Sequence, residues 1–255
     1  MTPWQAPTWT TVLKGTMEQP LPRWEEMPIR LRDRQAALEV PVCATRYDGT
    51  NELPDGLDGL PTDIKGRVKP RLYGYGINVA PPLVNTSRLI YQVSDAALAS
   101  VDAVYDRGAA LTKGADYADQ AAMEATAPAA GAFRAWPAGG CFRLGSSPAG
   151  EITADATAGA AAANRTAAQI AQAIVTGPGG IASGDVSAAD IAALDAANPA
   201  ELCLWVSDET TCRAALDAVA SSVGAWWGFD RSGVFRIARL DLPAGTPVAE
   251  LDDRS

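Results

Sequence analysis

Residues 225–240 read Ala225-Trp226-Trp227-Gly228-Phe229-Asp230-Arg231-Ser232-Gly233-Val234-Phe235-Arg236-Ile237-Ala238-Arg239-Leu240. Two runs rich in aromatic and branched residues flank Asp230-Arg231-Ser232-Gly233. Glycine at the close of such a turn supplies the backbone freedom that a tight reversal needs. The stretch predicts a hairpin on which Trp227, Phe229, Phe235 and Ile237 share faces. Trp226, Trp227 and Phe229 could also stack on sugar, although at strand spacing beside an apolar helix such a set belongs more often to a core.

Working back from the hairpin, residues 158–255 read as a helical segment closed by two strands. Ser207 or Asp208 is placed to cap a helix with Cys212, Leu216, Val219 and Ala220 along one stripe. Leu202-Cys203-Leu204-Trp205-Val206 reads as a buried-type strand. Thr166 is placed to cap a helix carrying Ile170, Ile174 and Val175, which Gly177-Pro178-Gly179-Gly180 stops. Ser187 opens a further helix with Ile191 and Leu194. There Asp190 stands where a capping box has Glu, and Asn198-Pro199 ends the run.

Residues 81–157 read as β-rich. Arg88-Leu89-Ile90-Tyr91-Gln92-Val93 has strand composition. Ala103–Asp106 and Ala109–Leu111 flank Arg107-Gly108, and Phe133–Trp136 and Cys141–Leu144 flank Pro137-Ala138-Gly139-Gly140, so two hairpins are expected. A short helix fits Asp119–Ala127. Residues 1–80 read as strands and loops. Met27, Ile29 and Leu31 alternate with Pro28, Arg30 and Arg32, and a short helix is expected over Arg34–Leu38. The run from Asp48 to Gly59 has the composition of a long turn-rich loop, and Ile77-Asn78-Val79 that of a strand.

The chain has 255 residues, a net charge of -9 and 47% hydrophobic residues, enough for one large core or two small ones. Much of the apolar share is alanine, so seven tryptophans and six tyrosines must supply packing area. The acidic balance argues against a nucleic-acid partner, which needs a clustered basic surface. Arg30, Arg32 and Arg34 lie close together but are offset by Glu25, Glu26 and Asp33. No run approaches the length of a membrane span. The opening MTPWQAPTW has neither a charged leader nor an apolar stretch of the signal-peptide kind.

The absence of histidine removes the commonest general base and every Ser-His or Cys-His relay. Cys43, Cys141, Cys203 and Cys212 form no CxxC pair and read as buried free thiols made in a reducing cytoplasm. Asp48, Asn51, Glu52, Asp55 and Asp58 offer oxygen ligands, but their spacing does not match an EF-hand loop. Gly177–Gly180 lacks the Lys and Ser/Thr of a phosphate loop and ends a helix instead of opening one. The serines of Gly145–Gly150 have no activating base except a lysine, and only Lys14, Lys65, Lys69 and Lys113 exist. Glu151 and Asp155 could be paired carboxylates for glycoside hydrolysis, but no motif singles them out. No catalytic, cofactor-binding or metal-ligating residue is therefore assigned, and the expectation is a non-enzyme without a cofactor.

With these residues read, the stretch from Ile29 onward resembles tail-tip, or baseplate-hub, structural proteins of long-tailed, siphovirus-like bacteriophages. The resemblance is carried by Ile29-Arg30-Leu31-Arg32-Asp33-Arg34, by Lys65-Gly66 through Lys69-Pro70, and by Tyr73-Gly74 with Asn78-Val79-Ala80-Pro81-Pro82-Leu83-Val84. Leu89–Asp95 continues it. Its most specific phrase is Phe142-Arg143-Leu144-Gly145 with Pro148-Ala149-Gly150 and Ile152-Thr153-Ala154-Asp155. Trp226–Arg231 with Gly233 closes it. The resemblance implies an α+β, β-rich hub of small barrel or sandwich elements and hairpins with an inserted helical α/β segment. It also implies a virion protein, made in the bacterial host cytoplasm, forming a homotrimeric ring at the tail tip. Such a ring joins distal tail and tape measure proteins to fibre or receptor-binding proteins. No catalytic residue carries over. Thr10–Gly15 looks like a strand of a barrel already under way, so residues 1–80 are expected to hold an incomplete barrel that another chain completes. A tail-associated cell-wall hydrolase and a carbohydrate-binding module for the host surface are the rival readings.

Overall fold

Nine strands between residues 71 and 157 dominate the computed structural model, which describes residues 13–20 and 24–241. They are β3 (Arg71–Val79), β4 (Leu83–Asn85), β5 (Ile90–Gln92), β6 (Ser100–Asp106), β7 (Ala109–Ala110), β8 (Thr112–Lys113), β9 (Ala132–Trp136), β10 (Cys141–Leu144) and β11 (Ile152–Thr157). Before them come β1 (Thr16–Met17) and β2 (Leu31–Arg32), and a six-residue helix α1 (Gln120–Ala125) interrupts them. After them come α2 (Ala167–Thr176), α3 (Ala188–Ala197), β12 (Cys203–Val206), α4 (Cys212–Ser222), β13 (Ala225–Phe229) and β14 (Phe235–Arg239). The fold is α+β and β-rich.

Two five-stranded sheets stack as a sandwich, ordered β4-β5-β10-β9-β8 and β12-β3-β11-β6-β7. Strand alternation explains the stacking. On β10, Phe142 and Leu144 enter the core between the sheets, while Cys141 joins a second cluster. Phe142 lies parallel to Tyr91 at 5.4 Å and meets Phe133 edge-on at 6.1 Å. Residues 109–113 leave one sheet as β7 and enter the other as β8, with Leu111 packed on the core between them. The sandwich is thus closed along one side. β12, β3 and β11 pair side by side, so strands from before residue 80, from 81–157 and from after 158 share one sheet.

The second sheet has α2, α3 and α4 on its far side. Ile170, Ile174, Leu194, Leu216 and Val219 bury there with Phe235 and Ile237 of the closing hairpin. The hairpin pairs Trp227 with Ile237 and Phe229 with Phe235, as its alternation predicts. A third cluster, Tyr47, Val84, Ile90, Tyr117, Met123 and Cys141, seals the outer side of the first sheet. Trp205 lends its ring to the sandwich core and donates its indole N–H to the Val93 carbonyl at 2.9 Å.

The local signals hold at both hairpins of the middle segment, at α1 with Asp119 as cap, and at α2 with Thr166 as cap. Arg34–Leu38 is a 3₁₀ turn. Five expectations need correction. The strand expected from Met27 shrinks to Leu31–Arg32, because among the described residues its partner is the two-residue β1, and Met27 and Ile29 lie in solvent. The strand expected from Arg88 begins only at Ile90, since Leu89 sits at φ 54°, a turn conformation. The strand 202–206 is an edge strand with Cys203 exposed, not a buried one. Neither Ser207 nor Asp208 caps α4. Thr211 does, accepting from Ala214 N at 3.2 Å, while Asp208 is spent on a local turn with Thr210 N at 2.9 Å. Finally, Ser187 caps α3 alone. Its own N–H donates to Phe235 O at 3.0 Å, and the Asp190 carboxylate grips Arg236 through both oxygens. Of the strand expected at Thr10–Gly15, residues 10–12 lie outside the described residues, and Leu13–Gly15 are not in a strand.

The cap assignment gives a direct test. Thr211→Ala should cost about 1 kcal/mol in urea unfolding, while Ser207→Ala should stay within about 0.5 kcal/mol. Equal losses would place the helix start wrongly.

Candidate functional site

The carboxylates singled out in the sequence go to separate partners. Asp58 accepts from Lys69 Nζ at 2.5 Å, and Asp55 is paired with Arg88. Asn51 Oδ1 accepts from Asp58 N at 2.6 Å, and Asn51 Nδ2 donates to Val84 O at 2.8 Å, so this loop is stitched to the first sheet. Among the described residues no group of three or more Cys, Asp or Glu is arranged to hold a metal ion.

Glu151 and Asp155 do not meet. Their Cα atoms are four positions apart, about 13 Å along extended chain at about 3.3 Å per residue. Asp155 is buried and accepts from Asn78 N at 2.8 Å and Tyr105 Oη at 2.9 Å. It holds Asn78 at φ 52°, where the end of β3 turns. The serine turn is likewise structural. Ala149 N and Gly150 N donate to Asp106, and Ser146 Oγ accepts from Gly131 N at 3.2 Å. Lys14, Lys69 and Lys113 each pair with a carboxylate. Gly177–Gly180 does end α2, with Gly177 N on Ala173 O.

The cysteines hold no ready nucleophile. Burial pushes the Cys141 thiol up to about 12 and those of Cys43 and Cys212 to about 11. Burial also raises Cys203. Thiols with such values stay protonated near neutral pH, and the thiolate is the reactive form. The tryptophans divide: Trp227 stacks on Phe235 at 6.0 Å and donates to Asp217 at 2.8 Å, while Trp226 faces the other way and is exposed.

The largest run of exposed apolar side chains is elsewhere. β1 and β2 pair antiparallel, Thr16 with Arg32 and Met17 with Leu31, as a two-stranded ribbon. Its root is well held. Lys14 N donates to Arg231 O at 2.8 Å in the turn of the closing hairpin. Asp185 accepts from Arg34 Nη2 at 2.6 Å and from Lys14 Nζ at 3.4 Å, and Arg34 lies 5.7 Å from the Phe229 ring centre. Arg34 also donates to Gly233 O. A hollow of about 290 Å³ separates root and turn, walled by Leu13, Leu31 and Phe229 among others. Beyond the root, Met17, Met27, Ile29 and Leu31 are each more than half exposed, and Trp24 is fully so. Burying one such side chain is worth roughly 1.5–3 kcal/mol. The ribbon therefore withholds several such gains from its own fold.

The alternation of Met27, Ile29 and Leu31 is visible in the sequence, while their exposure appears only in the fold. Nothing local marks Asp185 as the anchor, because its partners lie 151 and 171 residues away. No family model matches the chain, and no curated protein or solved structure matches it either. Among the described residues no helix is long and apolar enough to cross a membrane.

The hydrogen bond from Arg34, with the charges of Arg34 and Lys14, holds the Asp185 carboxyl below its ordinary value of 3.8. A lowered carboxyl stabilises the folded form above its unfolded value and loses that contribution as pH falls through the folded one. Hydrogen exchange at the Lys14 N–H should thus be constant from neutral pH down to about 3.8, after correction for intrinsic rates, and rise below it. Asp185→Asn should show the faster exchange already at neutral pH. Unchanged protection in that variant would remove Asp185 as the anchor.

Proposed function

We propose that this chain is a structural part of a bacteriophage tail tip, a hub or adaptor and not an enzyme. On this reading it forms a homotrimeric ring in the virion. The ring joins the distal tail and tape measure proteins to fibre or receptor-binding proteins. The phrases from Ile29 to Gly233 support the family reading. The observation that carries the assembly reading is the ribbon: a well-anchored strand pair with Met17, Trp24, Met27, Ile29 and Leu31 in solvent. A solitary soluble domain seldom leaves such a run uncovered, and a strand pair with open edges invites pairing. Asp155 is buried and bonded to Asn78 N and Tyr105 Oη, a structural use that does not favour the paired-carboxylate reading.

The barrel expected in residues 1–80 enters this reading as the ribbon. Among the described residues no further strand continues the pairing beyond β1 and β2. A neighbouring subunit would supply the missing edge.

Antibodies raised against the purified chain should decorate the distal end of tails in negatively stained phage particles. Intact tails that bind none, from particles whose protein content lacks the chain, would overturn the proposal. Peptidoglycan zymography should show no clearing, and clearing would favour the hydrolase.

A further inference from the structure

The outer side of the second sheet is only partly roofed. Tyr73 of β3 and Leu204 of β12 pack against the helical cluster, but Tyr75 and Ile77 of β3 stand exposed. Where the roof stops, an open cleft of about 460 Å³ is lined by Tyr75, Asp102, Thr157, Arg165 and Glu201. Three adjacent strands contribute the first three residues. The other two are locked together, because Leu202 N donates to Arg165 O at 2.8 Å and Thr166 bridges Glu201. β11 bulges at Asp155–Ala156 under the cleft, a device that re-aims side chains and often accompanies function.

The polar groups are fixed but not exhausted. Asp102 accepts from two neutral hydroxyls, Ser100 Oγ and Thr157 Oγ1, both at 2.7 Å. A carboxylate offers about four lone-pair sites, so spare ones remain. Arg165 donates from Nε to Glu201 Oε2 at 2.6 Å and from Nη1 to Gly159 O at 2.9 Å. A guanidinium has five N–H donors, so some remain to be used. The guanidinium side chain is itself only 15% exposed.

Charge and shape narrow the ligand. Two carboxylates repel an anion. The Arg165 cation among them disfavours a metal ion or an ammonium group. What suits a nearly balanced set of rigid donors and acceptors beside a phenol ring is a neutral molecule with several hydroxyls and an apolar C–H face. We infer that this cleft is a saccharide-binding subsite, with Tyr75 stacking on a sugar ring and Asp102, Arg165 and Glu201 bonding its hydroxyls. It is distinct from the exposed Trp226, and it stands independently of the tail-tip reading.

Isothermal titration calorimetry on the full chain tests it, with chitotriose, maltotriose and cellotriose as probes and tetramethylammonium chloride as the cation control. At least one trisaccharide should bind with a Kd of about 1 mM or tighter. Tyr75→Ala and Asp102→Asn should each weaken that binding by about tenfold or more, with the urea midpoint unchanged for Tyr75→Ala. Tyr75→Phe and Trp226→Ala should retain it. No heat with any of the three sugars would overturn the inference. Binding that survives Tyr75→Ala but not Trp226→Ala would place the sugar elsewhere, and binding of tetramethylammonium alone would make the cleft a cation site.

Discussion

The architecture depends on the close approach of two backbones at Gly74. β3 pairs with β12 on one side and β11 on the other. At Gly74 the Leu202 carbonyl comes so near that a Cβ would sit 1.8 Å from its oxygen. The residue also holds φ at +77°, which glycine alone adopts without strain. This contact lets β12 lie against β3 and brings the helical layer with it. β3 then serves two cores at once: Leu72 and Val79 face the sandwich, and Tyr73 faces the helices. β12 does the same with Trp205 and Leu204, so sandwich and helices share one sheet and should unfold together.

The same sheet logic accounts for a buried charge. Alternation on β10 sends Phe142 and Leu144 inward, so Arg143 must point out toward α1. There its Nη1 donates to Met123 O at 2.7 Å and Glu124 O at 2.9 Å, capping the last turn of that short helix. Its Nε has no hydrogen-bond partner, and burial lowers its basicity. Gly145 follows because a Cβ there would meet Ala129 O at 1.9 Å. Each position of Phe142-Arg143-Leu144-Gly145 thus has a steric or hydrogen-bonding reason.

Local chemistry was legible where a signal is complete within a few residues. Arg107-Gly108 is a two-residue turn with both φ angles positive, and Asp119, Thr166 and Ser187 cap their helices. The closing hairpin reads correctly because its aromatic alternation and its glycine agree. Misreadings arose where a competing local bond or a distant partner decides. Asp208 lost the cap to Thr211 because Thr210 engages it first, and Leu202–Val206 looks buried although it lies at an edge. The cleft residues carry no mark of their own. Tyr75, Asp102 and Thr157 become neighbours only through the register of β3, β11 and β6, which no single stretch encodes.

Three apolar clusters close over the sandwich, its outer side and the helices, so the body of the molecule is complete without the ribbon's tip. The exposed Met17, Met27 and Ile29 are then surplus to folding, which is the physical basis for proposing them as an assembly surface. Sedimentation velocity of the intact chain beside a Met17→Ser/Met27→Ser/Ile29→Ser variant tests this most directly. The intact chain should sediment as a trimer of the 26.5 kDa chain, and the variant as a monomer with the same urea midpoint. An intact chain that remains monomeric at every concentration, or a variant that assembles equally well, would contradict it.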